Sequence, residues 1–147
     1  MKNSALIAEQ RQDFANLFKV CFYCIFMRDK IRIALDNVIF SHDFRKVLLI
    51  KRKYPPFQNM WALPAGYLKN DELLDDGARR ELYEETNLKN TKLVRFDIFD
   101  KIKRDPRGRT ISVAYIGIVK DFKDMKANSD AKDVKCFDVD KLPKLAF

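Results

Sequence analysis

The stretch Gly66–Leu88, GYLKNDELLDDGARRELYEETNL, carries four glutamates, Glu72, Glu81, Glu84 and Glu85, in one helical pattern. Residues 71–86 contain no proline and a single glycine and are rich in Leu, Ala, Arg and Glu, so the spacing predicts a helix there with Asn70 as its N-cap. On a helix Glu81 and Glu85 stand one turn apart and Glu84 follows Glu81 by three, so the three carboxylates gather on neighbouring turns. At roughly 100° per residue, Leu74 and Ala78 point within about 60° of the direction of Glu81 and Glu85. The acids therefore border the sector that should face a core. A solvated acidic face is the ordinary explanation of such a run. Here it carries a cost, because like charges at i and i+4 repel and partial burial strengthens the repulsion. A cation among the carboxylates removes that cost, and hard oxygen ligands of this kind suit magnesium or manganese. Arg80 can pair with one acid and hold its orientation, and Arg79 is an equal candidate on spacing alone. Just upstream, Pro64-Ala65-Gly66 makes a small-residue bend. Glycine permits close approach there, which adds the backbone of Ala65 and Gly66 to the candidate ligands.

Outward from this helix the chain reads as strands. Ile31–Phe40 (IRIALDNVIF) and Lys46–Arg52 (KVLLIKR) are apolar runs split by a polar turn at Ser41–Arg45. A loop with Pro55, Pro56 and Asn59 leads to Trp61–Gly66. After the helix come Lys92–Phe99 and Thr110–Val119, joined by a loop containing KRDPRGR, and a short strand at Lys135–Val139. Strands around one long helix make a mixed α/β (α+β) domain. At the other end, residues 4–18 show a weak helical pattern and Val20–Met27 (VCFYCIFM) reads as a further strand.

The chain has 147 residues, enough for one domain with a real core. Its longest apolar run, Val20–Met27, is too short to cross a bilayer, and residues 1–19 lack the continuous apolar stretch of a signal peptide. These features predict a cytoplasmic protein without a membrane partner. Three cysteines, Cys21, Cys24 and Cys136, are an odd number and argue against a disulfide framework. Cys21 and Cys24 have the C-x-x-C spacing of zinc and redox sites, but only Cys136 and the lone His42 could complete a zinc set. We read all three cysteines as small buried or half-buried residues. The net charge of +8 suits an anionic partner. The basic residues are scattered and form no nucleic-acid reading motif, so a nucleotide is expected rather than a nucleic acid.

The pattern G-x5-E-x7-R-E-L-x-E-E-x-N-L over Gly66–Leu88 resembles the box of the Nudix hydrolases, a loop–helix–loop that binds the metals acting on a diphosphate. Its one departure is Asn87, where the family has glycine; asparagine is the next-best residue for a left-handed helix end. The resemblance implies a mixed sheet packed between helices in an α/β/α sandwich over residues 29–147, with residues 1–28 as an N-terminal extension outside it. LPKLAF resembles the point at which relatives run on into another helix. By the same resemblance Glu81 and Glu85 are the principal metal ligands, Glu84 adds a ligand or an outer contact, and Glu72 and Arg80 orient the cluster around Mg2+ or Mn2+. The general base of such enzymes lies in the box or on a later loop, where Asp130 and Asp133 stand. Asp133 is taken as the candidate.

KRKYPPFQNMWALPAGYL and RDPRGRTISVAY resemble the branch that hydrolyses ADP-ribose, which would yield AMP and ribose 5-phosphate, and the Nudix domains of bacterial regulators of NAD metabolism. Enzymes of that branch are often homodimers. Arg104, Arg107 and Arg109 are placed on a loop to meet a phosphate or a terminal ribose, since guanidinium forks fit phosphate oxygens. Phe57 and Trp61 are candidates to stack on adenine, and Trp61 is equally a core residue. Two other readings stand beside this one. The first is a hydrolase of another nucleotide such as 8-oxo-dGTP. The second is a domain that senses ADP-ribose or a sugar without cleaving it; the complete set of box carboxylates argues for catalysis.

Overall fold

The computed structural model describes residues 30–147. The helical pattern at 4–18, the strand reading at Val20–Met27 and the Cys21/Cys24 pair lie outside the described residues. Within them the order is β1 (Arg32–Ser41), β2 (Lys46–Arg52), β3 (Trp61–Ala62), β4 (Ala65–Tyr67), α1 (Leu74–Thr86), β5 (Leu93–Phe99), β6 (Thr110–Val119) and β7 (Ala131–Asp138). All seven strands join one mixed sheet with the path β3-β2-β1-β6-β5, β4 adding to β1 and β7 to β2. The α+β class expected from the sequence is therefore the one found. Of the helical layers, the described residues supply α1. No helix among them is long and apolar enough to cross a membrane.

β1 is the axis. One edge runs parallel to β6 along its whole length, from Arg32 with Thr110 to Ser41 with Val119. The other edge divides. At its end Phe40 pairs with Val47 of β2, and at its start Ala34, Leu35 and Asp36 pair with Tyr67, Gly66 and Ala65 of β4. The hairpin thus opens as it leaves the Ser41–Arg45 turn, and β4 fills the gap. That turn is held by Asp43, whose carboxylate accepts from Ser41 Oγ and from the Arg45 N–H.

Helix α1 lies on one face of this sheet because Ala78 and Leu82 recur on one side of it, both essentially inaccessible. Ala78 joins Leu35, Val113 and Tyr115 in one cluster, and Leu82 joins Ile39, Leu48 and Leu88 in the next. Gly77 lets the helix come close: a Cβ there would stand 2.6 Å from Leu35 Cδ1. Asn37, fully buried on β1, ties the layers together by donating from Nδ2 to the Ala78 carbonyl at 3.2 Å, while its backbone N–H donates to Pro64 O at 2.9 Å.

The helix ends differ from expectation at one side. It starts at Leu74 with Leu73 in the cap position and no side-chain cap, instead of at Asn70. Glu72 explains the delay: its Oε1 accepts the Lys69 N–H at 2.8 Å, holding residues 69–72 in a turn before the helix begins. Asp75 and Asp76 occupy the first helical turn, where negative charge favours the helix dipole. At the other end Asn87 takes the left-handed conformation (φ 61°), as its place in the pattern implied, and its N–H closes on Tyr83 O. Strand β7 starts four residues earlier than the sequence suggested, at Ala131, extending its pairing with β2. Cys136 on this strand is half-buried beside Met125 Sδ at 3.7 Å, and burial pushes its thiol up to about 11, as befits a packing residue.

Candidate active site

The opening between β1 and β2, floored by β4 and walled by α1, forms a cavity of about 550 Å³. Arg80, Glu81, Glu84 and Glu85 line it from the helix, Ala65 and Gly66 from β4, and Arg104 and Arg107 from the loop before β6. Eight of the residues expected from the sequence thus share one cavity. Glu72 stands behind Arg80 and orients it.

Arg80 is the hub of the acidic half. Its Nε–H donates to Glu72 Oε2 at 2.8 Å and its Nη2 to Glu72 Oε1 at 2.6 Å, a two-pronged bond. Nη1 donates to Glu81 Oε1 at 2.5 Å and Glu84 Oε2 at 3.1 Å, and Nη2 also reaches the Tyr67 carbonyl at 3.2 Å. The ambiguity between the two arginines is thereby resolved: Arg79 pairs with Asp76 on the exposed side of the helix. Hydrogen bonding from Arg80 holds the Glu72 carboxyl down at about 2.

Glu81 and Glu85 both shift the other way. Glu85 is 6% exposed, and burial pushes its carboxyl up to about 8; the nearby charges of Glu81 and Asp130 add to this, while the Ala65 N–H and Arg52 work against it. That amide donates to Glu85 Oε2 at 2.8 Å. Burial also raises Glu81 above the ordinary carboxylate range, against the pull of Arg80. Gly66 makes the position of Glu81 possible, since a Cβ on Gly66 would lie 2.0 Å from Glu81 Cδ. Burial is the main reason both carboxyls resist ionisation, and around them Glu72, Glu81, Glu84 and Glu85 outnumber Arg80, an excess of negative charge. A divalent cation fits that imbalance and the all-oxygen donor set. Among the described residues no three such groups converge on one point, because Arg80 draws Glu81 and Glu84 toward its own guanidinium.

The loop after β6 completes this wall. The Lys126 N–H donates to Thr86 O at 2.9 Å and the Asn128 N–H to Glu85 O at 3.3 Å, so the loop uses the spare carbonyls at the helix end. It thereby sets Asp130 on the cavity wall near Glu85.

Four expected residues lie elsewhere. Asp133 is locked into β7 opposite Lys51, is exposed, and turns its carboxylate to the Val134 N–H; Asp130, still in the loop, has the cavity position. Arg109 is held on the outer side of its loop, its guanidinium donating to Asp100 O and its carbonyl accepting from the Arg32 N–H. Trp61 precedes the cavity-lining Ala62 on β3, so strand alternation turns its ring away; it packs edge-on against Phe137 at 4.8 Å. Phe57 stands outside the lining, edge-on to Phe147 at 4.9 Å.

Two acids beside the expected arginines had no place in the sequence reading. Asp105 is 7% exposed and gathers Arg107 through its Nε at 3.0 Å and Nη2 at 2.7 Å, with the Arg107 backbone N–H at 2.9 Å. Burial alone would raise its carboxyl; the Arg107 bonds outweigh this and hold it at about 2. Arg107 in turn lies 5.0 Å from the ring centres of both Tyr67 and Phe147, and Arg52 covers Phe147 at 5.1 Å. On β1, Asp36 faces the cavity beside Arg104, 3.8 Å away, and Ser112, to which Arg104 donates. Burial raises the Asp36 carboxyl. An acid inside the apolar run IRIALDNVIF is the signal that could have found Asp36, and the Asp-Pro-x-Gly turn in RDPRGR the one that could have found Asp105.

Comparison with known proteins bears on this arrangement. A stretch of 115 residues, 78% of this chain, is 39% identical to an ADP-ribose pyrophosphatase from Methanocaldococcus jannaschii and spans 66% of that protein. The Nudix domain of Shewanella oneidensis NrtR, crystallised with ADP ribose, matches the structure with a TM-score of 0.68 and 28% identity over 76% of this chain and 75% of that one. A bifunctional NMN adenylyltransferase/ADP ribose pyrophosphatase from Francisella tularensis, complexed with AMP and a manganese ion, matches with a TM-score of 0.67 and 29% identity over 84% of this chain but only 39% of that one. The NUDIX domain description matches residues 30–147, the same span that carries the sheet, the glutamate helix and the cavity between them. The chain belongs to the Nudix family.

Proposed function

We propose that the chain hydrolyses a nucleoside diphosphate linked to another group, with ADP-ribose as the substrate and AMP and ribose 5-phosphate as the products. The observation that carries this reading is the pair Glu81 and Glu85, set against the backbone of Gly66 and Ala65 in the same cavity as Arg104 and Arg107. Glu81, Glu84 and Glu85, with the backbone at Ala65 and Gly66, would hold Mg2+ or Mn2+. When bound, such an ion offsets the charge of the diphosphate and lowers the pKa of a water.

The chain's own groups do the rest. Arg80, fixed by Glu72, keeps Glu81 and Glu84 from splaying apart. The Ala65 N–H orients Glu85 by holding one oxygen of its carboxylate. Arg52 and Lys53 also line the cavity and would meet the diphosphate oxygens. Asp130, on the wall near Glu85, is placed to accept the proton of the attacking water at its carboxylate. Positioning and electrostatics dominate phosphoryl chemistry, so these fixed charges are where the rate should come from.

The test is product analysis with magnesium over ADP-ribose, NADH, diadenosine polyphosphates, nucleotide sugars and 8-oxo-dGTP. Release of AMP from ADP-ribose in preference to the others supports the reading. Preferential cleavage of another substrate keeps the chemistry and discards ADP-ribose. A second reading, a domain that binds ADP-ribose without cleaving it, draws support from the NrtR domain crystallised with that ligand. Tight binding of ADP-ribose with no cleavage of any substrate would favour it.

A further inference from the structure

The walls of the cavity differ in charge. On the helix wall, Glu72, Glu81, Glu84 and Glu85 outnumber Arg80. On the wall built by β1, β6 and the loop before β6 the formal charges cancel: Arg107 is taken up by Asp105, and Arg104 stands between Asp36 and Ser112. The loop arginines are therefore not free to receive a terminal phosphate. A charge-balanced wall of acceptors and donors suits a neutral polyol, whose hydroxyls both give and accept hydrogen bonds.

Asp36 is the member of this wall with acceptor capacity to spare. It lies on β1 in register with Ala65 of β4 on one side and Ala114 of β6 on the other, so neither strand neighbour crowds it or offers it a side-chain donor. Arg104 approaches to 3.8 Å, an ion-pair distance too long for a hydrogen bond. The Ser112 hydroxyl accepts from Arg104 and gives its own proton to Asp36, which leaves the remaining lone pairs of the carboxylate without a donor. We infer that Asp36 accepts hydrogen bonds from the hydroxyls of the group linked to the nucleoside diphosphate, and so selects a sugar-capped diphosphate over a nucleoside triphosphate. This inference rests on the function proposed above. Its physical basis is twofold. A carboxylate that loses a hydroxyl partner inside a cavity loses a charge-assisted bond, whereas a terminal phosphate in the same place meets two carboxylates, Asp36 and Asp105.

The experiment compares wild type with Asp36→Asn, and with Asp36→Ala as a second variant, on three substrates. These are ADP-ribose, an ADP-ribose analogue whose terminal ring lacks its hydroxyls, and ATP. Circular dichroism and thermal melting confirm that each variant is folded. Wild type should lose roughly tenfold or more in kcat/KM on passing from ADP-ribose to the analogue; Asp36→Ala should show little further loss, because the partner is already gone, and Asp36→Asn, which keeps a neutral acceptor oxygen, an intermediate one. The ratio of kcat/KM for ADP-ribose over ATP should fall in both variants, by a similar factor in Asp36→Ala. A purely structural role would lower all three substrates in parallel, and that result overturns the inference, as does an unchanged ratio. If the wild type cleaves no sugar-linked diphosphate, the functional reading itself fails and the inference falls with it. Cleavage of ADP-ribose with no coupling between Asp36 and the hydroxyls refutes the inference alone.

Discussion

Replacing Gly66 by alanine adds one carbon at the point where the strand β4 backbone touches the Glu81 carboxylate. The new Cβ would lie 2.0 Å from Glu81 Cδ and 2.2 Å from each carboxylate oxygen, where ordinary contact begins at 3.4 Å. The Glu81 head must therefore retreat by about 1.4 Å, the difference between the ordinary contact distance and the nearest approach. It can do so, because it is the end of a flexible side chain. Gly66 is not among the residues with positive φ, so alanine adopts the same backbone, and the chain loses less entropy on folding. Weakening the Glu81 bond to Arg80 offsets this gain, leaving a net stability change within about 1 kcal/mol. Catalysis has no such tolerance. A displacement of about 1 Å in a positioned group costs on the order of 10²-fold, so Gly66→Ala should retain its melting temperature within a few degrees and lose at least that factor in kcat at saturating magnesium. Steady-state release of AMP from ADP-ribose, read beside a thermal melt, measures both. A folded variant with kcat within about threefold of wild type would show that the position of Glu81 against Gly66 does not matter for turnover.

Three further outcomes follow from the same geometry. Glu85→Gln keeps the shape and the acceptor for the Ala65 N–H but removes the ligand charge, so kcat should fall on the order of 10²–10³-fold in a folded protein; near-normal rates at saturating magnesium would remove Glu85 from the ligand set. Arg80→Lys keeps one positive charge but cannot reproduce a guanidinium that reaches three carboxylates, so kcat should fall about tenfold or more, which single-turnover kinetics would reveal. Asp105 is lowered from 3.8 to about 2 in the folded state, so the stability it contributes is present above the unfolded value and is lost as pH falls through the folded one. At about 1.4 kcal/mol per unit, that is about 2.5 kcal/mol, so urea titration should find Asp105→Asn less stable than wild type by that amount at pH ~6 and by little near pH ~2; an equal gap at both would place its role outside ionisation.

The helix and its acids were legible because they obey a short-range rule: spacing along one helix decides which carboxylates meet, and no distant contact is needed to see it. The strands β2 and β6 were legible for the same reason, as apolar runs closed by polar turns. The helix start was not, because it depends on Glu72 folding back on Lys69, a tertiary arrangement that only the Arg80 pairing makes worthwhile. Trp61 and Asp133 failed on parity. Each is close in sequence to a cavity residue, Ala62 or Asp130, but strand geometry turns Trp61 to the opposite face and strand pairing removes Asp133 from the loop. Asp36 and Asp105 were missed because attention to arginines as anion binders overlooked that acids buried nearby would occupy them.

The bond from the Asn128 N–H to the Glu85 carbonyl has a consequence for how this fold tolerates change. It measures the position of Asp130 from the backbone of Glu85 itself, two residues of loop away. An inserted residue adds up to about 3.6 Å of chain, so lengthening the loop after Asn128 would carry the acid away from the helix, whereas extra residues before Lys126 would bulge into solvent and leave the anchor points in place. The helix end thus acts as a fixed ruler, and variation in the length of this loop is safe on one side of it only.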